Sequence, residues 1–112
     1  MADLTIQTPS LTGAVLTFAA CAALGDAFLN SGHEFVVIRN ASGGPVNVTF
    51  DAPNACSLGI TSASHDKVVA CADAVDTRIG PFPKARFNDA ARKVQITYAS
   101  ETDLSIAVLG DV

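Results

Sequence analysis

Apolar residues recur along this chain with a period of two, in short runs cut by glycine, proline, asparagine and aspartate. Val46-Asn-Val-Thr-Phe50 alternates apolar and polar residues. Lys93-Val-Gln-Ile-Thr-Tyr98 does the same, with Val94, Ile96 and Tyr98 on one face and Lys93, Gln95 and Thr97 on the other. Successive side chains of an extended chain point to opposite faces, so each pattern predicts a strand with one buried and one wetter face. Glu34-Phe-Val-Val-Ile-Arg39, Lys67-Val-Val-Ala-Cys-Ala72 and Leu104-Ser-Ile-Ala-Val-Leu109 are further runs of strand length and composition. Leu4-Thr-Ile-Gln-Thr8 and Ala14-Val-Leu-Thr-Phe18 add two candidates near the start. The total is seven or eight short strands. No helical stripe of ten or more residues competes, and single turns are the most that Ala19–Leu24 and Asn88–Lys93 allow.

The punctuation predicts the connections. Asn40-Ala-Ser-Gly-Gly-Pro45 lies between two strand patterns and reads as a hairpin turn, with Pro45, which lacks an amide hydrogen, at a strand's start or edge. Ser100-Glu-Thr-Asp103 has the length of another hairpin loop. Asp51 to Gly59 has turn chemistry throughout, and the polar residues after it extend a loop between sheets. Asp26–Gly32 and Ile79–Asp89 each join turn formers to the aromatics Phe28, Phe82 and Phe87, as a sandwich requires where the chain passes from sheet to sheet. The fold class predicted is all-β: a single-domain antiparallel β-sandwich, jelly-roll-like, over residues 14–112. Residues 1–13 are predicted to form an extended N-terminal arm, with Thr8-Pro-Ser10 marking an extended entry that reaches onto a neighbour.

Gly13 to Leu24 is an apolar stretch too short to span a bilayer, and it reads as a buried strand with an alanine-rich continuation. The first residues carry an acid where a secretory leader carries base, so no membrane is implied. Two sequons, Asn40-Ala-Ser42 and Asn47-Val-Thr49, matter only in a secretory pathway.

Composition adds one question. The chain has 112 residues, enough for one domain with a core, and 49% are hydrophobic while 16% are charged. Either much neutral surface is buried against another subunit, or alanines inflate the hydrophobic count. A net charge of -4 and a pI near 4.8 oppose nonspecific nucleic-acid binding, which depends on neutralising phosphates. Lysines and arginines are scattered, with Lys84/Arg86 and Arg92/Lys93 the two small clusters.

Chemistry-bearing patterns are scarce. Cys21, Cys56 and Cys71 form no C-x-x-C, and an odd count argues against a disulfide framework. His33 and His65 lack ligand spacing, no nucleophile elbow occurs, and Ser42-Gly-Gly-Pro45 is not a phosphate loop. Acidic pairs at Asp73/Asp76, Asp51/Asp66 and Glu101/Asp103 read as surface acids in preference to calcium ligands. Six phenylalanines and no tryptophan describe a core more than a sugar-stacking platform. No metal, no cofactor and no enzymatic activity are predicted. Phe82 and Phe87 flank Pro83-Lys-Ala-Arg86 and read first as a core corner. The alternative is an apolar anchor with two cations for an acidic partner.

The succession Gly25-Asp-Ala-Phe28-Leu-Asn30-Ser-Gly32, Val46–Phe50, Ile79-Gly-Pro-Phe82 with Phe87-Asn-Asp89, Val94–Tyr98 and Leu104–Val108 resembles small structural proteins of tailed bacteriophages, most of all capsid decoration, or cement, proteins. The resemblance covers residues 14 to 109 and rests on turn-and-strand geometry. It implies a virion protein, made in the host cytoplasm, that docks on the outer capsid surface and bridges major capsid protein subunits. Such proteins are commonly homotrimers at three-fold positions or dimers at two-fold ones, without cofactor or catalysis. Exposed loops and the arm would then supply the contacts, from Leu4, Ile6, Pro9, Phe82, Lys84 and Arg86. Cys21, Cys71 and Ala91-Arg-Lys93 depart from the turn-like Gly or Ser expected there. Two other readings are a head-tail connector or tail component, and a host-surface or glycan-binding sandwich.

Overall fold

The computed structural model describes residues 2–9, 11–52 and 66–110. The described residues form ten strands: β1 (Ala2–Asp3), β2 (Ile6–Gln7), β3 (Ala19–Ala20), β4 (Asp26–Leu29), β5 (Phe35–Asn40), β6 (Val46–Phe50), β7 (Lys67–Cys71), β8 (Asp76–Ile79), β9 (Lys93–Tyr98) and β10 (Leu104–Leu109). One short helix, α1 (Lys84–Phe87), interrupts them. The first sheet has the order β1-β4-β9-β6-β7 and the second β2-β10-β5-β8, with β3 also on β10. All pairs are antiparallel except β1 with β4 and β2 with β10. The all-β sandwich expected from the alternation is the fold observed.

The core lies between the sheets and is built from the alternate positions that the sequence marks. Phe28, Val48, Phe50, Val94 and Ile96 come from the first sheet and Val36, Ile38, Ile106 and Val108 from the second, each at most 1% exposed. Removing such a side chain from water is worth about 1.5–3 kcal/mol, so these positions dominate the stability. Tyr98 lies at one end of the layer, where its hydroxyl donates to Asp26 Oδ2 at 2.6 Å. Asp26 is fully buried, accepts a second bond from the Ala22 amide at 3.2 Å, and leaves Oδ1 without a partner among the described residues. Removing one partner of a buried hydrogen bond strands the other at a cost of about 1–3 kcal/mol. Tyr98→Phe should therefore lower the unfolding free energy by about 2 kcal/mol in urea denaturation while leaving the ring packing intact.

Three connections differ from expectation, for a common reason. Glu34–Arg39 and Val46–Phe50 do not form a hairpin: β5 pairs with β10 and β8, whereas β6 pairs with β7 and β9 in the other sheet. Likewise β9 and β10 lie in different sheets, so residues 99–103 cross between layers. The loop after Phe50 does the reverse. It returns the chain to the same sheet, where Phe50 faces Lys67. Alternation reports which face of a strand is buried and is silent about its lateral neighbour. Residues 53–65 of that loop, with Cys56 and His65, lie outside the described residues.

Residues 2–7 join both sheets, with β2 inside the strand expected at Leu4–Thr8: the Leu4 amide donates to the Ala27 carbonyl, and the Gly110 amide to the Gln7 carbonyl, both at 2.8 Å. Leu4 and Ile6 pack against the core, which is where their apolar area is used. Gly13–Leu24 is not the buried strand expected. Residues 13–18 have no regular structure, and only Ala19–Ala20 pair, with β10. At Ala19–Leu24 the chain makes that two-residue strand and a turn, closed by the Gly25 amide on the Ala22 carbonyl. The helical turn expected near Asn88 lies earlier, at Lys84–Phe87.

Candidate functional site: the strapped face of the second sheet

The two sheets differ on their outer faces. Register places Asn47, Thr49, Gln95 and Thr97 outward on the first sheet beside Leu29, Val68 and Ala70, a mixed surface, with Lys93 paired to Asp3 at 2.8 Å. On the second sheet the outward positions are Phe35, Val37 and Arg39 of β5 and Ser105, Ala107 and Leu109 of β10. That face is mostly apolar, and water should not cover it. Val37 and Ala107 are only 5% and 2% exposed although they point away from the core.

Residues 11–18 provide the cover. The Gln7 side chain clasps the backbone of Thr17, donating Nε2 to its carbonyl at 2.6 Å and accepting its amide on Oε1 at 2.8 Å. This holds an extended strap over the sheet. Leu16 and Phe18 are half-buried on the sheet side, and the Arg39 guanidinium lies 4.0 Å from the centre of the Phe18 ring. Arg39 also makes two hydrogen bonds with Asp76, at 3.0 and 3.1 Å, which hold the Asp76 carboxyl below the usual carboxylate range. Both groups are exposed, so the pair fixes geometry more than it adds stability.

The strap leaves the face incompletely closed. Leu11 and Val15 project into solvent at 108% and 92% exposure. A groove of about 640 Å³ remains between Leu16, Phe35, Val37 and Leu109 on its apolar side and Asp76 to Arg78 on its rim. Single exposed apolar residues are ordinary, but Val15 shares a neighbouring pocket with Leu16 and Leu109 of the groove, and a continuous apolar surface of that kind marks an interface.

The expected contact residues are dispersed. Pro9 is exposed at the entrance of the strap, in a pocket shared with Val15, Leu16 and Leu109. Leu4 and Ile6 belong to the core margin. Phe82 is not an exposed anchor: it is 2% exposed and stacks on Phe28, Phe50 and Phe87 at centroid distances of 5.7, 4.8 and 5.3 Å. The corner folds inward because three aromatic faces offer Phe82 more than water does. Lys84 is exposed on α1, and the Arg86 guanidinium lies 4.8 Å from the Phe87 ring centre. Ile6 and Lys84 do share a separate polar groove with Leu29, Asn30, Glu34 and Arg92. Leu11, Val15, Leu16, Phe35 and Leu109 were missed by the sequence reading.

Reactive chemistry is muted in the described residues. Burial is the main cause that pushes the Cys21 thiol up to about 11, and burial raises Cys71 as well, so both resist forming thiolate. Asp51 is raised by burial and by Asp66, so this expected acidic pair does come together. Asp73 instead accepts the Gly43 amide, and Asp76 is bound to Arg39. Asn40 is buried with its side chain fully engaged and is not available as a glycan acceptor. Among the described residues no group of three histidine, cysteine or acidic side chains is placed to hold a metal, and no helix is long and apolar enough to cross a membrane. Comparisons with protein-family models, curated proteins and solved structures find no match to this chain.

Proposed function

We propose that this protein is a virion structural protein of the capsid-decoration type, which attaches to the outer surface of a phage capsid and stabilises it by bridging major capsid protein subunits. Attachment uses the strapped face of the second sheet. The observation that carries this reading is the exposure of Leu11 and Val15 on the strap that lies over the second sheet, where a partly apolar groove stays open. A chain with 16% charged residues has few groups to desolvate when such a face is covered. Many copies of a modest contact then reinforce a shell by avidity. No cofactor or catalytic step takes part.

The test is to incubate the protein with undecorated, expanded phage shells, pellet the particles and count bound copies. Saturation at a number fixed by icosahedral symmetry, with greater heat resistance of the shell, is the expected result. Leu11→Ser combined with Val15→Ser should keep the fold, since neither side chain is buried, and weaken binding about a hundredfold. Failure of the unmodified protein to bind would overturn the reading in favour of a tail or receptor-binding role.

A further inference from the structure

The four lateral edges of the sandwich are not equivalent. At the first sheet's β1 edge, Asp3 and Lys93 form an ion pair. The β8 edge of the second sheet carries Asp76, bound to Arg39, and Arg78. Its other edge is made of the short β2 and β3, and Gln7 is spent on the strap. Charges, short strands and covering segments are how sheets avoid pairing with other chains. Among the described residues β7 has little of this. It is five residues long, reads Lys-Val-Val-Ala-Cys, and pairs only with β6 among the described residues. Val68 is 51% exposed, and its sole charge, Lys67, is at one end.

We propose that β7 pairs antiparallel with β7 of a second copy of this chain, joining two first sheets into one continuous sheet across a two-fold axis. The occupant follows from the strand's self-complementarity. A two-fold axis normal to the sheet keeps outward residues outward, so paired positions must have the same parity. The register that overlaps all five residues is centred on Val69 and sets Lys67 opposite Cys71 and Val68 opposite Ala70. No like charges meet. Apolar Val68 gains the small Ala70 of the other copy as its neighbour, and an acidic or basic partner strand would find no charge here to pair with except at the end. The dimer is independent of the capsid reading and leaves the strapped face free.

Sedimentation equilibrium of the purified chain should give twice the 11.5 kDa chain mass at tens of micromolar. Val68→Lys with Ala70→Lys places like charges opposite each other on exposed positions and should yield monomer with an unchanged circular dichroism spectrum. Val68→Lys with Ala70→Glu places opposite charges in register and should restore the dimer, with salt weakening it. A monomeric unmodified protein, a dimer indifferent to the two lysines, or no rescue by the lysine–glutamate pair would each overturn the inference.

Discussion

Replacing Phe82 by alanine is expected to lower the unfolding free energy by about 4 kcal/mol, within the range for truncating a buried aromatic. For a chain of this size that corresponds to a melting temperature lower by roughly 15 °C. The magnitude follows from position. Phe82 is the hub that Phe28, Phe50 and Phe87 all touch, and it closes the end of the core from a loop and not from a strand. Its carbonyl also accepts the buried Asn30 amide at 2.9 Å. Phe82→Leu should cost much less, about 1–1.5 kcal/mol, because volume is largely kept. If Phe82 were instead a surface anchor, both changes would leave the melting temperature in place and alter only binding. Differential scanning calorimetry of the two variants separates these outcomes.

Asn40→Ala is expected to cost about 3 kcal/mol. The side chain ends β5 at 1% exposure and uses both amide atoms. Nδ2 donates to the Gly44 and Cys71 carbonyls at 2.9 and 3.0 Å, and Oδ1 accepts the Ser42 amide and hydroxyl at 2.9 and 2.7 Å. One residue thus ties the crossing loop of 41–45 to the end of β7. Alanine would strand those groups, each of which costs about 1 kcal/mol or more where water cannot reach. Urea unfolding should show the loss. Asn40→Asp should retain part of the stability, because Oδ1 keeps the Ser42 bonds while the donors to Gly44 and Cys71 disappear.

The sequence carried the fold further than its connections. Val46–Phe50 and Lys93–Tyr98 alternate strictly, and their polar partners Asn47, Thr49, Gln95 and Thr97 lie on the outer face of the first sheet. The same comparison held the site. Glu34-Phe-Val-Val-Ile and Leu104–Leu109 are nearly continuous apolar runs, the pattern of strands covered on both faces. Set beside the alternating strands, they announce that one sheet of the sandwich has a second apolar face needing a cover. What could not be read is what lies on that face. The strap is held by the side-chain bonds of Gln7 to Thr17 and by the Arg39–Phe18 contact, neither of which has a local sequence signature. Ala14–Phe18 is apolar and β-branched enough to imitate a paired strand, yet only its sheet-side residues Leu16 and Phe18 find burial. Hairpins were misread for a related reason. Turn residues around Gly43 and Asp103 permit a reversal of direction without requiring one, and at residues 41–45 the buried Asn40 ties the crossing loop in place.

The central claim is that the strapped face of the second sheet is the docking surface. Hydrogen exchange of the protein, free and bound to expanded shells, tests it most directly by mass spectrometry of peptides covering residues 11–18 and 104–109. Bound protein should show slowed exchange in residues 11–18, while peptides from β6 and β9 on the opposite sheet exchange as in the free protein. Protection confined to β6 and β9, with residues 11–18 exchanging at their free rate on saturated shells, would contradict it.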